Sequence, residues 1–579
     1  MITKALEDNM SYNEIYEQWL NADLTPDLHK ELLAMDEKTK EDAFYTYLEF
    51  GTAGQRGLLG AGTNRMNIYT VRLTTEGLAR LMDSKGDAKK RGVAIAYDSR
   101  HFSKEFAMET ATILADHGIP SYVYDSLRPT PALSFTIREL NTLTGVMITA
   151  SHNPAPYNGY KVYGEDGGQM PPEDAAALTE YIRQIDDIFS ITLGDTEKYI
   201  AEGMIKIIGE DIDAKYLKNI ETVTINHDLI NKYGRDLNIV YTPLHGTGEM
   251  LGRRALATAG FEKIAVVEEQ AIPDPDFSTV KSPNPESQAA FAMSEELGRK
   301  VGADMLVATD PDADRIGVEV RLPDGSYQPL TGNQIGAVLA KYILEAHKTA
   351  GTLPANAAMA KSIVSTELVS HIAESYNVEM FNVLTGFKFI GEKIHAWETT
   401  GEHTYMFGFE ESFGYLIKPF VRDKDAIQAM LLICEVAAYY RSLGKTLYDG
   451  IQDIYAEYGF FVEKTLSVTL EGSTGKEQIA EIMGKFRANA PEKFDGLEIL
   501  LTEDFKELTA TSHSGKVEKL TTPPSDVLKY HLEDGSWIAV RPSGTEPKIK
   551  FYMAAVADTE AQAQSKIDHF EKEITTFIG

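Results

Sequence analysis

The feature that most constrains this chain is a unit that recurs along it: a short apolar run followed by a compact polar loop. Residues 93–97 run into Asp98-Ser99-Arg100 and an amphipathic segment from about Ser103. Val146-Met147-Ile148 runs into Thr149-Ala150-Ser151-His152-Asn153-Pro154, and residues 237–241 run into Thr242-Pro243-Leu244-His245-Gly246-Thr247-Gly248. Residues 305–308 run into Thr309-Asp310-Pro311-Asp312-Ala313-Asp314-Arg315. Apolar runs of this length bounded by turn residues read as buried strands, and strands alternating with helical patterns build α/β sheets. Such sheets bind ligands at the carboxyl ends of their strands, so the polar loops are where chemistry is expected.

The Ser151 loop offers a hydroxyl at such an end, continuing through Asn158-Gly159-Tyr160-Lys161 to Gly167-Gly168. An acyl-enzyme reading is poorly supported. There is no G-x-S-x-G elbow, and neighbours on an extended chain point to opposite sides, which would part Ser151 from His152. Ser, Asn and Pro together are also ordinary turn chemistry, so a structural turn stays open. In the aspartate loop, carboxylates at i, i+2 and i+4 would converge on one side of an extended segment and offer hard oxygen ligands to a divalent cation. An EF-hand is excluded, because Arg315 and Arg321 stand where glycine and glutamate are needed. Three carboxylates leave coordination positions open, which suits Mg²⁺ completed by a phosphate oxygen, while a solvated acidic turn is the alternative.

Further loops carry related chemistry. Gly51-Thr52-Ala53-Gly54-Gln55-Arg56-Gly57 presents open amides and a guanidinium that suit an anion, or serves as a plain connection. His245, at a strand-to-helix turn, reads as structural or as supporting the site from behind, with ligand contact as the alternative. Thr385-Gly386-Phe387-Lys388 precedes Gly408-Phe409-Glu410-Glu411-Ser412-Phe413-Gly414, whose acids and serine between aromatics suit sugar hydroxyls and an apolar ring face. Asp423 or Asp425 is expected to cap a long helix carrying Cys434. Beyond residue 455 the pattern changes to alternating strands, and Arg541-Pro542-Ser543-Gly544-Thr545-Glu546-Pro547-Lys548 joins two of them with hydroxyls, a glycine and cations that fit a phosphate.

A chain of 579 residues exceeds one hydrophobic core and should hold several domains. Its net charge of −31 argues against nucleic acid or an anionic membrane as partner. An anionic substrate must then be captured by local cations. The single cysteine, Cys434, excludes an internal disulfide and reads as a core residue. With no apolar run near bilayer length and no leader pattern, a cytoplasmic protein is expected.

A serine loop, a metal loop, a hydroxyl-binding loop and a phosphate loop together point to phosphoryl transfer to and from a sugar. In residues 149–154, 310–315, 408–414 and 541–545, taken in that order, the chain resembles the α-D-phosphohexomutases, the family of phosphoglucomutases and phosphomannomutases. The resemblance implies three related mixed α/β domains and a smaller α+β domain with an antiparallel sheet, around one central cleft. The divisions expected are 1–205, 206–325, 326–455 and 456–579. It implies a catalytic phosphoserine at Ser151, with Mg²⁺ held by that phosphate and by Asp310, Asp312 and Asp314. Glu410 and Ser412 would grip sugar hydroxyls, and Arg541, Ser543, Gly544 and Thr545 the phosphate not being transferred. Arg56, His152, Lys161, Arg315, Lys388 and Lys424 would supply the cationic lining, with Lys424 or His152 as acid and base.

The reaction so implied interconverts glucose 1-phosphate and glucose 6-phosphate through glucose 1,6-bisphosphate, in a monomer or weak homodimer. Pro311, Phe409 and Ala155-Pro156-Tyr157 depart from the commonest family patterns and resemble a branch that also contains pentose-phosphate mutases. Mannose phosphate or pentose phosphate as substrate, a phosphohydrolase and a non-catalytic sugar-phosphate sensor are the alternatives.

Overall fold

The computed structural model describes residues 10–51, 54–470, 475–543 and 548–578. Three sheets of one design follow one another. In the first, six strands lie in the order Gln55–Leu58, Tyr157–Tyr163, Thr144–Ile148, Val93–Tyr97, Ser121–Tyr124 and Ile205–Ile208. Val93–Tyr97 and Thr144–Ile148 are buried along their whole length, which is why they are nearly continuous apolar runs. The second sheet runs Tyr327–Pro329, Ile316–Arg321, Met305–Thr309, Ile239–Thr242, Ile264–Val266, and the third Glu379–Val383, Ala357–Ser362, Thr404–Glu410, Gly414–Leu416.

Each sheet is parallel at its centre and turns antiparallel at one point. There the strand Thr144–Ile148 pairs with Tyr157–Tyr163, Met305–Thr309 with Ile316–Arg321, and Thr404–Glu410 with Gly414–Leu416. The serine, aspartate and glutamate loops are the tips of these hairpins. Each tip holds a non-glycine residue in the left-handed region: Ser151 (φ 53°), Ala313 (φ 50°) and Phe413 (φ 65°). Such strain persists only where surrounding contacts impose it.

The sheets close on one another through a core centred on the helices Gly332–Thr349 and Ala426–Ser442. Asp425 caps the second by accepting from the amides of Ile427 and Gln428, and Cys434 is fully buried within it. Ahead of the first sheet, the helices Tyr12–Leu20, Pro26–Ala34 and Glu37–Phe44 pack Trp19 and Phe44 against Tyr69 of the helix Ile68–Lys85.

In the last unit Phe460–Thr469, Lys548–Ala557, Trp537–Pro542, Leu528–Leu532 and Leu497–Asp504 pair antiparallel. Alternation decides its two faces. Ile538 and Val540 meet the helices Gly475–Asn489 and Glu560–Ile578, whereas Trp537 and Ala539 pack on Ile363, Val364 and Leu384 of the third unit.

The expected divisions cut through structure. Position 205 opens the strand Ile205–Ile208, which pairs with Ser121–Tyr124; position 325 falls inside the hairpin joining Ile316–Arg321 to Tyr327–Pro329; and position 455 lies within the helix Leu447–Tyr458. Turn residues mark where a chain can bend, not which sheet the next strand joins. Among the described residues, no helix is long and apolar enough to cross a membrane.

Candidate active site

The serine loop is built around Arg100. Its guanidinium donates to the carbonyls of Pro154 (2.9 Å), Tyr157 (3.0 Å), Ser151 (2.6 Å) and Asn153, and its Nε lies 3.2 Å from Asp98 Oδ2. Phe277 of the second unit covers the guanidinium at 5.0 Å. One buried cation thus ties the carbonyls of the loop together and imposes the left-handed turn at Ser151. That turn overturns the expected separation of Ser151 and His152, because Ser151 Oγ lies 3.2 Å from His152 Nδ1. The sequence reading took Arg100 only as the end of a strand.

Ser151 Oγ also donates to Asp310 Oδ2 at 3.0 Å, across 159 residues of sequence. The aspartates do not lie on an extended segment as expected. Residues 311–313 form a turn, and Asp310 Oδ1 accepts from the amides of Asp314 and Arg315, each at 3.0 Å. The turn brings one oxygen from each of Asp310, Asp312 and Asp314 within 4.8 Å of the others. All three side chains are buried. Lys161 Nζ donates to Asp312 Oδ2 (2.8 Å), Thr130 Oγ1 donates to the same oxygen (3.0 Å), and Lys424 Nζ lies 3.1 Å from Asp314 Oδ2.

Two oxygens stay open. Asp312 Oδ1 and Asp314 Oδ1 are buried and have no hydrogen-bond partner, the second lying 3.8 Å from Arg315 Nε. A buried carboxylate oxygen left unpaired is costly unless a cation takes it, so this donor set fits a hard divalent ion. Burial, then the charges of Asp312 and Asp314, push the Asp310 carboxyl well above the usual range. For Asp312 burial acts upward as well, but Lys161, Asp310 and Lys424 together outweigh it and hold the carboxyl low.

Cations ring this centre. Arg56 donates to Asn153 Oδ1 at 3.0 Å, and Arg315 pairs with Glu286. Burial and the charges of Arg315 and Arg56 hold the His152 imidazole well below its ordinary range, so it is neutral. Lys424 is held charged. Burial acts against its charge, but Asp314 and Asp423 prevail, the latter with Oδ1 at 2.9 Å. Asp423 in turn accepts from Tyr163 Oη (2.9 Å) and Gln169 Nε2 (3.0 Å) of the first unit. Gly414 makes room for this lysine, since a Cβ there would lie 2.1 Å from Lys424 Cδ.

Glu410 ends its strand buried and accepts from the Gly386 amide at 2.7 Å. Glu411 turns the other way, onto Ser362 and Ser365 at 2.9 and 3.2 Å, so only the first acid of the pair faces the centre. Ser412 is half-buried at the hairpin tip, and Lys388 is half-buried in the first turn of the helix Phe387–Thr400 with its pKa lowered by burial. From the last unit, half-buried Arg541 lies beside Tyr552, whose surroundings also include Glu411 and Glu410. The Ser543 amide donates to Lys548 O at 2.7 Å, closing that hairpin, while Gly544 and Thr545 lie outside the described residues. His245 is structural as expected, contacting Ile272 O and Thr279 Oγ1.

The structure thus joins Ser151, His152, Lys161, Asp310, Asp312, Asp314 and Lys424 by direct contact. The sequence reading missed Arg100, Thr130, Tyr163 and Gln169. Only the Asp98-Ser99-Arg100 run, sitting where ligand loops sit, gave a local signal.

Comparison with known proteins agrees with this geometry. The chain matches, in order, the descriptions "Phosphoglucomutase/phosphomannomutase, alpha/beta/alpha" domain I (residues 47–188), domain II (214–322) and domain III (331–458), and the C-terminal domain (485–570). It is 41% identical over 523 residues to a phosphoglucomutase of Staphylococcus epidermidis, covering 90% of this chain and 92% of that one. Among solved structures it resembles the open form of pp63/parafusin, a phosphoglucomutase from Paramecium, with TM-score 0.69 and 19% identity over 92% of this chain and 95% of that one. A phosphoglucomutase/phosphomannomutase family protein from Burkholderia thailandensis gives TM-score 0.66 at 18% identity, over 91% and 97% of the two chains. With its hairpin-borne loops, aspartate cluster and four matched domains, the chain belongs to the phosphoglucomutase/phosphomannomutase family.

Proposed function

We propose that the chain interconverts α-D-glucose 1-phosphate and glucose 6-phosphate, with Ser151 as the phosphoryl carrier and glucose 1,6-bisphosphate as the intermediate. The observation that carries this reading is the Ser151 Oγ to Asp310 contact at 3.0 Å, beside two open carboxylate oxygens and within a ring of cations. Glucose as the sugar rests on the staphylococcal relative's being a phosphoglucomutase.

Asp310, Asp312 and Asp314 would hold Mg²⁺, which supplies charge stabilisation to the phosphoryl group in flight. Everything else falls to the chain's own groups. In the first half, the sugar 6-hydroxyl attacks phosphorus, the bond from phosphorus to Ser151 Oγ breaks, and the hydroxyl proton passes by way of a base to Oγ, which leaves as the free hydroxyl. In the second half, Ser151 Oγ attacks the phosphate on carbon 1 and gives up its own proton. His152 Nδ1, neutral and 3.2 Å away, is placed to take it, while charged Lys424 is placed to protonate the departing sugar oxygen. Arg56, Lys161 and Arg315 balance the anionic oxygens. Glu410 and Ser412 take the sugar hydroxyls, with Lys388 beside them, and Arg541, Ser543, Gly544 and Thr545 hold the distal phosphate. Arg100 acts through the loop, fixing where Oγ points.

The test is a coupled assay with Mg²⁺ and a trace of glucose 1,6-bisphosphate, comparing kcat/KM for glucose, mannose and ribose 1-phosphates. Glucose should lead by about tenfold or more. A lead for ribose would reassign the substrate to a pentose phosphate, and release of inorganic phosphate in place of isomerised sugar would replace the mutase with a phosphohydrolase.

A further inference from the structure

Away from the catalytic cleft, on the flank where the second and third units meet, lies a cavity of about 160 Å³. Its walls come from the helix Gly332–Thr349, the start of the strand Thr404–Glu410 and the segment that follows Gly414–Leu416. Ile225, Ile343, Met406 and Ile417 make the apolar part of the lining, while Thr352, Thr404 and Tyr405 add hydroxyls and Lys418 and His347 the two basic groups.

Lys418 and His347 share an unusual condition. Lys418 is half-buried, and among the described residues its ammonium has neither hydrogen bond nor ion pair. His347 uses Nδ1 on Thr352 Oγ1 at 2.8 Å and leaves Nε2 with no partner. Each has its pKa lowered by burial, and for His347 the next cause is the charge of Lys418, so the two nitrogens sense each other. The acid behind the wall, Glu435, is engaged elsewhere, by the amides of Ile225 and Asn226 and by Tyr342 Oη. A cation withdrawn from water without a counter-charge is costly, and an anion restores what burial removes.

We propose that this cavity is a second ligand site, which takes a small anion with a compact charged head and an apolar body, a carboxylate or a phosphate monoester. The head meets Lys418 Nζ and His347 Nε2, and the body lies on Ile343, Met406 and Ile417. The site is wired to the catalytic centre. The Lys418 amide donates to Gln428 Oε1 at 2.7 Å, and Gln428 Nε2 donates to Asp425 Oδ2 at 3.0 Å, next to Lys424. The strand whose first residues line the cavity ends at Glu410. An occupant would thus lie two hydrogen bonds from Asp425 and at the opposite end of the strand from Glu410.

The experiment is calorimetric titration of inorganic phosphate, and separately of isobutyrate, into the full chain with Mg²⁺ and no sugar phosphate, binding at this site being the part that Lys418→Met and His347→Gln weaken. The wild type should bind at least one of the probes. Lys418→Met should weaken that binding by about tenfold or more, and His347→Gln by about threefold. Without added anion, both variants should keep kcat and KM within about twofold of wild type. Preference for phosphate or isobutyrate identifies the head group. Wild-type affinity in both variants, or no binding of either probe up to roughly 10 mM, overturns the proposal. Because binding is read and not turnover, the result stands apart from the assignment of the catalytic substrate.

Discussion

Two buried charge clusters join the units of this molecule, and they differ in one respect. At the junction of the third and fourth units, Glu367 Oε1 lies 3.1 Å from both Lys361 Nζ and Lys529 Nζ, and its Oε2 accepts from Ser370 at 2.7 Å. Lys529 also donates to Ile363 O at 2.8 Å and covers the Trp537 ring at 4.5 Å. Lys361, Glu367 and Lys529 are thus all answered within the chain, although the neighbouring Glu463 keeps a buried Oε1 without a hydrogen bond. At the junction of the first three units, Ser151, Lys161, Lys424 and the aspartates make equally short contacts but leave Asp312 Oδ1 and Asp314 Oδ1 open. A closed cluster is a joint, while an open one has positions for a ligand. The difference lies in the accounting of lone pairs, not in the amount of charge buried.

The largest effect should come from breaking the open cluster. Asp312→Asn keeps the shape, removes one open charge and leaves Lys161 without its closest partner. Activity should fall by about a thousandfold and the requirement for Mg²⁺ should rise, while the melting temperature changes by only a few degrees. Steady-state kinetics across a Mg²⁺ series and a thermal scan read this, and an unaltered metal requirement would take the aspartates out of the site.

Next in size is Arg100→Lys. An ammonium cannot serve all the carbonyls that the guanidinium serves, so Ser151 should leave its left-handed turn. We expect kcat to drop about a hundredfold with KM for the sugar phosphate within about threefold, because the groups that bind sugar are elsewhere. A proportional rise in KM would mean that the residue supports the whole cleft and not the loop alone.

The closed cluster should answer differently. Glu367→Gln removes the carboxylate that both lysines contact, at a cost of about 3 kcal/mol in stability. The catalytic step itself should change by less than about tenfold. Chemical denaturation followed by tryptophan fluorescence reports the first, and kcat the second. Loss of activity matching that of Asp312→Asn would erase the distinction between joint and site.

The smallest effect tests an acid that belongs to neither cluster. Glu319 is fully buried with both carboxylate oxygens unpaired, and burial pushes its pKa up to about 8. Above its ordinary value near 4.5 the unfolded chain releases a proton that the native chain retains. Stability therefore falls as pH climbs from there toward 8 and levels off beyond. Glu319→Gln should flatten this slope and gain about 1 kcal/mol at pH 7.5, with no gain at pH 4. Thermal scans of both proteins at the two pH values decide it.

The loops were legible because phosphoryl transfer demands particular side chains within a few residues of one another, as in residues 149–154 and 310–315. What escaped was set by distance or by backbone conformation. The contact of Ser151 with His152 depends on a φ of 53° that Arg100 imposes from 51 residues away. The different directions of Glu410 and Glu411 follow from where the strand ends. Lys361, Glu367 and Lys529 come together only through docking of the fourth unit, and no local spacing announces them.

The measurement that tests the central claim most directly is the stoichiometry and fate of phosphate on Ser151. The full chain, loaded with glucose 1,6-bisphosphate carrying labelled phosphate in the presence of Mg²⁺, is separated from free sugar and digested for peptide mass spectrometry. It should carry about one label per chain, on Ser151, and a chase with glucose 1-phosphate should move that label to the 6-position of the sugar. Ser151→Ala should take up none and lose activity by at least about ten-thousandfold. Label on another residue, or label leaving as inorganic phosphate during the chase, would contradict the account.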